Sequence, residues 1–439
     1  MRSFATGRVD TAFGAFDPDA IRDRIHQPAI VLILVGALVF NLLLCFVNTV
    51  VFRVTDTMVM GAEMVLISAA FALGVNRKVT LWLILGIFMS YMALIMALRP
   101  MLDLKAIRDF LIPITFYTLG RRYPDRRIAD LAALISGAIV LFFGLFEYFF
   151  LDIYIKYFNI IAYYVARGTV AASDVTGESG LFASGLRPDA RNILPFLGPH
   201  RVSSVFLEPV SAGNFGAILY MWALYRKDMR WRKTLFVLGA MPIILSDARF
   251  GLYVCIAATA LSLVPFRLPR IAWYFLPMAV MLALAIYGFT SAEVDWRNDL
   301  GGRLLWTARL LTSLDIRGAF GISPDKPFLS DSGYAYTISE IGIFGVIGFW
   351  TLFIFGREDN PDAWRFKMLV ATYICLLLLI SDSPYSIKTA ALLWFMVGTN
   401  DGFVPPLMPQ MQVLNRFTRG RASAVSASPA HEPSARSSA

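Results

Sequence analysis

Long apolar runs recur along nearly the whole chain, separated by short polar stretches. A helix needs about 20 mostly apolar residues to cross a hydrocarbon core. These runs approach that length and lack the short alternation of barrel strands. Twelve spans are predicted, at 29–51, 57–75, 79–98, 107–120, 129–151, 207–225, 234–247, 250–266, 271–290, 333–356, 365–382 and 385–399. The fourth, seventh and twelfth are short, which predicts that they are tilted, interrupted or shielded by protein. The expected fold class is all-α: a polytopic transmembrane helix bundle with two large outward-facing loops capping it.

Lys and Arg in the short loops set the orientation. One set of loops holds Arg77-Lys78, "GRRYPDRR", "YRKDMRWRK", "FRLPR" and "GREDNPDAWRFK". The other holds little beyond Arg53, "RPMLDLK", "SDARFG" and "SDSPYS". The alternation runs through all the predicted spans and puts both termini on the cytoplasmic side. The expected organisation is a cytoplasmic segment (1–28), five spans (29–151), a first large loop (152–206), four spans (207–290), a second large loop (291–332), three spans (333–399) and a cytoplasmic tail (400–439). The tail is rich in Ser, Ala, Pro and Arg and is expected to be disordered. The polar N-terminal stretch has no signal-peptide pattern. In loop one, "IYIKYFNIIAYYVA" is suited to lying at lipid headgroups. In loop two, "GGRLLWTARLLTSL" outlines an amphipathic helix, with Leu304, Leu305, Ala308 and Leu311 toward protein and Arg303 and Arg309 toward polar groups.

Composition agrees with lipid as the main solvent. The 439 residues are 57% hydrophobic and 16% charged, against about 45–50% and about 25% in soluble domains. The net charge of +9 belongs to cytoplasmic loops, so no nucleic-acid partner is expected. Cys45, Cys255 and Cys375 lie in apolar runs and outline no disulfide framework. His26, His200 and His431 are scattered, so neither a metal nor a cofactor is expected.

The candidate chemistry sits on the predicted outer face: Arg201, Glu208, Arg249, Arg303, Asp331 and Glu340. Several arginines near one membrane boundary point to an anionic ligand carrying phosphate, which guanidinium binds bidentately. Each residue also has a structural explanation. Arg249 could anchor at headgroups, Arg303 could face solvent, and Arg201 could pair with a loop carboxylate. Glu208 precedes Pro209 at a helix start, where an anion suits the dipole. Asp331 could cap a loop. Glu340 lies well inside a span, where a carboxylate faces the bundle interior, for instance to hold an arginine.

The order of "HRVSSVFLEPVSAGNFGA", "SDARFGLYV", "GGRLLWTARLL", "GAFGISPD" and "DSGYAYTISEIGIFGVIGF" resembles the bacterial O-antigen polymerase and O-antigen ligase superfamily, over roughly Lys105 to Gly348. The family's Arg followed by Phe-x-x-Pro and small residues matches Arg201, Phe206, Pro209 and Gly213. Its Ser-x-x-Arg-x-Gly turn matches Ser246, Arg249 and Gly251, and its later arginine matches Arg303. Ligases of the superfamily show His-Asn-x-Tyr and then Glu-x-Gly. Here the register reads Asp331-Ser332-Gly333-Tyr334 and then Glu340-Ile341-Gly342. Replacement of that histidine by Asp331 favours a polymerase, nearest in character to the xanthan-type exopolysaccharide polymerases.

The resemblance implies a metal-independent membrane glycosyltransferase in the bacterial inner membrane. It would join undecaprenyl-diphosphate-linked oligosaccharides, one as donor and one as acceptor, at the periplasmic face. Arg201, Arg249 and Arg303 would stabilise the leaving diphosphate. Asp331 would receive the acceptor's proton or orient its hydroxyl, with His200 as second candidate and Glu208 as a further carboxylate. Tyr334 and Glu340 would support them. Implied partners are the lipid bilayer, a chain-length regulator and export proteins. Two alternatives stay open: a ligase acting on a surface acceptor, and a flippase or transporter of lipid-linked sugars. The missing His-Asn pair argues against the first. Charges clustered at one face under long loops, with no evident inverted repeat, argue against the second.

Overall fold

The computed structural model describes residues 18–75, 79–99, 103–171, 180–181, 185, 194–263, 268–291, 300–323, 329 and 332–404. Regular structure there is entirely helical, with no strand among the described residues. The first group is α1 (Pro18–Val50), α2 (Asp56–Gly74), α3 (Val79–Leu98), α4 (Leu104–Arg122) and α5 (Arg126–Phe149). Two short helices follow, α6 (Leu151–Tyr157) and α7 (Ile160–Ala166). The second group is α8 (Pro209–Tyr225), α9 (Arg232–Leu245), α10 (Arg249–Leu263) and α11 (Arg270–Thr290). Then come α12 (Leu300–Ser313) and α13 (Ile316–Ala319), and finally α14 (Gly333–Phe355), α15 (Ala363–Leu377) and α16 (Ile387–Gly402).

Each predicted apolar run holds one of α1–α5, α8–α11 and α14–α16. Two boundaries move. α1 starts at Pro18, well before 29, because polar residues upstream of an apolar run do not end a helix. α15 stops at Leu377, short of 382, where the chain tightens through bonds such as Leu379 N–H to Leu376 O. Among the described residues six helices are long and apolar enough to cross a membrane: α1 from His26, α2, α3, α5, α11 and α14. Of these, α11 is the least covered by protein, followed by α2 and α3. α3 and α11 leave Leu83, Ile87 and Leu94, and Phe275, Leu282 and Phe289, exposed, as a lipid-facing surface requires.

α4 and α16 form the centre and run parallel. A Cβ on Gly120 would stand 2.2 Å from Phe395 O, and one on Gly398 would stand 2.0 Å from Tyr117 O. Small residues thus let the two backbones touch, the device by which membrane helices pack closely. α4 carries Lys105, Arg108, Asp109, Arg121 and Arg122 at its two ends. Its N-terminus is capped by Asp103, which accepts from Lys105 N–H and Ala106 N–H.

Part of the aromatic stretch of loop one packs into protein, while Ile153 and Tyr157 stay exposed. Tyr154, Ile160, Tyr163 and Tyr164 are buried in protein. Tyr154 Oη donates to Ser204 O at 2.8 Å and Tyr163 Oη donates to Asn41 Oδ1. An aromatic run with hydroxyls suits a polar interior as well as an interface, and here the returning chain supplies acceptors. In loop two, α12 buries Leu305 and Ala308, while Arg303 and Arg309 are half-buried.

α14 is interrupted at Gly342, whose φ of 63° and ψ of 167° leave the helix. A Cβ there would stand 2.5 Å from Phe320 O, so only glycine fits. The carbonyls freed by the break find donors. Arg99 Nη2 donates to Ser339 O at 2.6 Å and to Gly321 O at 2.6 Å, and Arg99 Nη1 pairs with Glu340 Oε2 at 3.1 Å. Tyr91 Oη donates to Ile341 O and accepts from Gly345 N–H, bridging the gap. A buried backbone group without a partner is costly, and most of all in lipid.

Candidate functional site

α2, α4, α8, α10, α14 and α16 begin at one end of the bundle, called the top below. Their N-termini bring positive dipole ends together there. The polar side chains at the top form a connected set. Arg108 donates to Glu63 Oε2 at 2.5 Å and, through Nε and Nη2, to Asp109 Oδ1 at 2.9 and 2.6 Å. Asp109 Oδ2 accepts from Tyr336 Oη at 2.5 Å, and Lys105 Nζ lies 5.1 Å from the Tyr336 ring centre. Beside α7, Arg167 binds Asp56 Oδ1 at 2.7 Å and packs over the rings of Tyr163 and Tyr164.

The stretch leading into α8 is strained. Ser204 and Leu207 have φ of 52° and 63°, in the left-handed region, which non-glycine residues enter at a cost. Several bonds hold it. Glu147 of α5 accepts from Ser203 N–H and Ser204 N–H, and Ser204 Oγ donates to Val140 O at 2.7 Å. The outcome is that Phe206 O and the Glu208 side chain both turn inward. Phe206 O accepts from Lys388 Nζ at 3.1 Å. Glu208 accepts from Tyr164 Oη at 2.8 Å and from Ser211 Oγ at 3.2 Å. Burial and the adjacent Glu208 carboxylate hold the Tyr164 hydroxyl well above its ordinary range, so it acts as a donor.

Lys388 is the exception within this set. It is half-buried in the first turn of α16, where the helix dipole repels a cation. Its one hydrogen bond is to a carbonyl, and it makes no ion pair with a described residue. Glu208, Arg167 and Glu63 lie within electrostatic reach.

Asp382 occupies the turn between α15 and α16, half-buried. Burial pushes its carboxyl up to about 7; nearby Lys105 opposes the shift and Asp109 adds to it. Beneath the polar set lies an apolar cavity lined by Phe110, Pro277, Met281, Trp350, Tyr385 and Trp394, among others. Tyr385 joins the two levels: its ring packs on Phe110 at 4.7 Å and its hydroxyl bonds Thr337 at 2.8 Å.

The residues singled out in the sequence fall in different places. Glu208 enters the polar set. Arg201 Nε donates to Ser246 O at 2.8 Å and Nη2 to Asp247 O at 3.4 Å, so it ties loop one to the turn that leads into Arg249. Arg249 begins α10 and is half-buried. Gly213 of α8 packs against Ala248, so "SAG" and "SDARFG" are neighbours. His200 is buried, 7% exposed, and stacks on Tyr148 at 6.1 Å. Arg303 is half-buried on α12, and no described contact joins it to Arg201 or Arg249. Tyr334 is buried and donates to Cys375 O at 3.0 Å, pinning α14 to α15. Glu340 holds Arg99 at the break in α14. Asp331 lies outside the described residues.

Sequence reasoning passed over Arg108, Asp109, Arg167, Asp382 and Lys388. The available signal was charge inside or beside a predicted span: Arg108 and Asp109 at the start of the fourth and Lys388 at the start of the twelfth. Among the described residues no group of His, Cys, Asp or Glu has the arrangement of a metal site. No family model, curated protein or solved structure matches the chain.

Proposed function

We propose that the chain is a polysaccharide polymerase of the membrane: a glycosyltransferase that joins polyprenyl-diphosphate-linked repeat units at the outer face of a bacterial inner membrane. In this reading twelve helices cross the bilayer and both termini are cytoplasmic. The top is then the outer end, because the loops at the opposite end hold most Lys and Arg.

One observation carries the reading: Lys388, which makes no ion pair with a described residue, stands at a helix N-terminus in a bundle whose interior also holds an apolar cavity. A site of that kind suits an amphiphile with an anionic head and an apolar tail. The leaving diphosphate gains charge as the sugar's anomeric C–O bond breaks, and Lys388 would stabilise it without reorganising. Arg249 and Arg303 are proposed as further contacts of the same anion, and Arg201 as the residue that positions the turn bearing Arg249. The sequence resemblance to O-antigen polymerases and ligases points the same way.

A second reading, a carrier for lipid-linked sugars, is favoured by the break in α14, since discontinuous helices recur in transporters. Deletion in the host, followed by mass analysis of lipid-linked glycans, separates the possibilities. Single repeat units on the outer side and no long polymer are expected. Repeat units trapped inside would indicate the carrier. Normal polymer lacking only its surface attachment would indicate a ligase.

A further inference from the structure

We infer that Asp382 is the group that takes the acceptor hydroxyl's proton in the transfer proposed above, on which this inference rests. Its place in the fold is fixed. The turn is held by Ser383 N–H to Ser381 Oγ at 3.1 Å, the Ser381–Ser383 hydroxyl contact at 2.6 Å and Tyr385 N–H to Asp382 O at 3.1 Å. Tyr385, three residues on, is wedged between Phe110 and Tyr336. A base held on a rigid turn keeps its aim.

Among the described residues, the other carboxylates of the polar set are already in use. Glu63 and Asp109 pair with Arg108, Asp56 pairs with Arg167, and Glu208 accepts from Tyr164 and Ser211. A carboxylate bonded to guanidinium is a weak base. Asp382 bonds no other described residue through its side chain, and it is not fully buried, so a ligand can reach it. The charged and titratable groups around it are Lys105 and Asp109 on α4, Glu208 at the start of α8, Tyr336 on α14 and Tyr385 on its own turn. Lys388, six residues along the chain, shares the electrostatic neighbour Glu208 with Asp382, which relates the proposed anion contact to the proposed base. A base works best when it titrates near the working pH.

The step balances. The acceptor's O–H bond breaks and its proton passes to the Asp382 carboxylate. The oxygen bonds to the donor sugar's anomeric carbon. The anomeric C–O bond to the diphosphate breaks, and its electron pair leaves with the diphosphate beside Lys388. Asp382 then returns the proton to water.

The test uses full-length protein in vesicles of phosphatidylethanolamine and phosphatidylglycerol. The substrate is the lipid-linked oligosaccharide extracted from the deletion strain, and polymer formation is followed from pH 5.5 to 8.5. The wild-type rate should fall about tenfold per unit below about pH 7, because the base must be deprotonated, and level off above. Asp382→Asn should be about 10²–10⁴-fold slower and lack that limb. Asp382→Glu should recover part of the rate with the limb displaced. A wild-type profile flat across this range, or an Asn variant that keeps the wild-type rate or its limb, overturns the role of Asp382. Wild-type protein that leaves the oligosaccharide unjoined overturns the polymerase reading itself.

Discussion

Both ends of the bundle hold buried polar groups and use them differently. At the bottom, Lys367 is 1% exposed and pairs with Asp401 at 2.8 Å and Glu358 at 3.2 Å. Arg226 is clamped between Asp130 and Asp228, and Arg121 joins Asp359 and the Arg357 carbonyl. Asn400 accepts from Arg126, Tyr225 and Asn360. These contacts close the ends of α4, α5, α8, α15 and α16 on one another. At the top, Arg108 and Arg167 are paired in the same way, but Lys388 has a lone carbonyl and the Asp382 side chain bonds no other described residue. Desolvated charge is expensive. Where the fold provides the partner, the charge is explained by the fold; where it does not, a ligand is the natural partner.

That contrast can be broken experimentally. The largest effect is expected at the bottom: Lys367→Ala leaves Asp401 buried without its ion-pair partner, with only Tyr117 Oη still donating to it, which costs about 3–5 kcal/mol. It should appear as a large fall in melting temperature in detergent, while activity per folded molecule is kept. At the top the pattern should invert. Lys388→Ala should lower polymer formation by about 10²–10³-fold, the scale for removing one group that stabilises developing charge. Its melting temperature should be unchanged or higher, since a cation is removed from a helix N-terminus. A large loss of stability in Lys388→Ala would place it with the structural charges.

A smaller effect is expected where the ends of loop one tie into the bundle. Arg201→Ala removes charge-assisted bonds to Ser246 and Asp247 carbonyls and should cost about 1.5–3 kcal/mol. Cleavage of loop one by added protease should quicken in parallel. The smallest is Tyr164→Phe, which removes one donor from Glu208 and should cost about 0.5–1.5 kcal/mol. Because Glu208 lies within electrostatic reach of Lys388, this variant should also alter the salt dependence of the rate more than its stability.

The helical fold was legible in the sequence because long apolar runs have few other stable forms in lipid. Gly342 shows the limit: a glycine within an apolar run carries no sign of whether it breaks a helix. It does so here because Phe320 and Gly321 press against it and Arg99 is at hand to take the freed carbonyls. Glu208 was legible as a charge at a helix start, but its acceptor role depends on Tyr164, which lies 44 residues away. The motif arginines were visible by type and spacing. Their contacts were not, since Arg201 turns to backbone carbonyls and not toward the centre.

By itself the sequence determined where the helices run and which loops hold the basic residues, since both follow from local hydrophobicity and charge counts. Tertiary structure alone decided which charges are paired. Lys388 and the Phe206 carbonyl that receives it are 182 residues apart. They meet only because the parallel packing of α4 with α16 and the strained turn before α8 bring their ends together. The partner of a buried charge is fixed by which helix ends converge, and no local pattern encodes that.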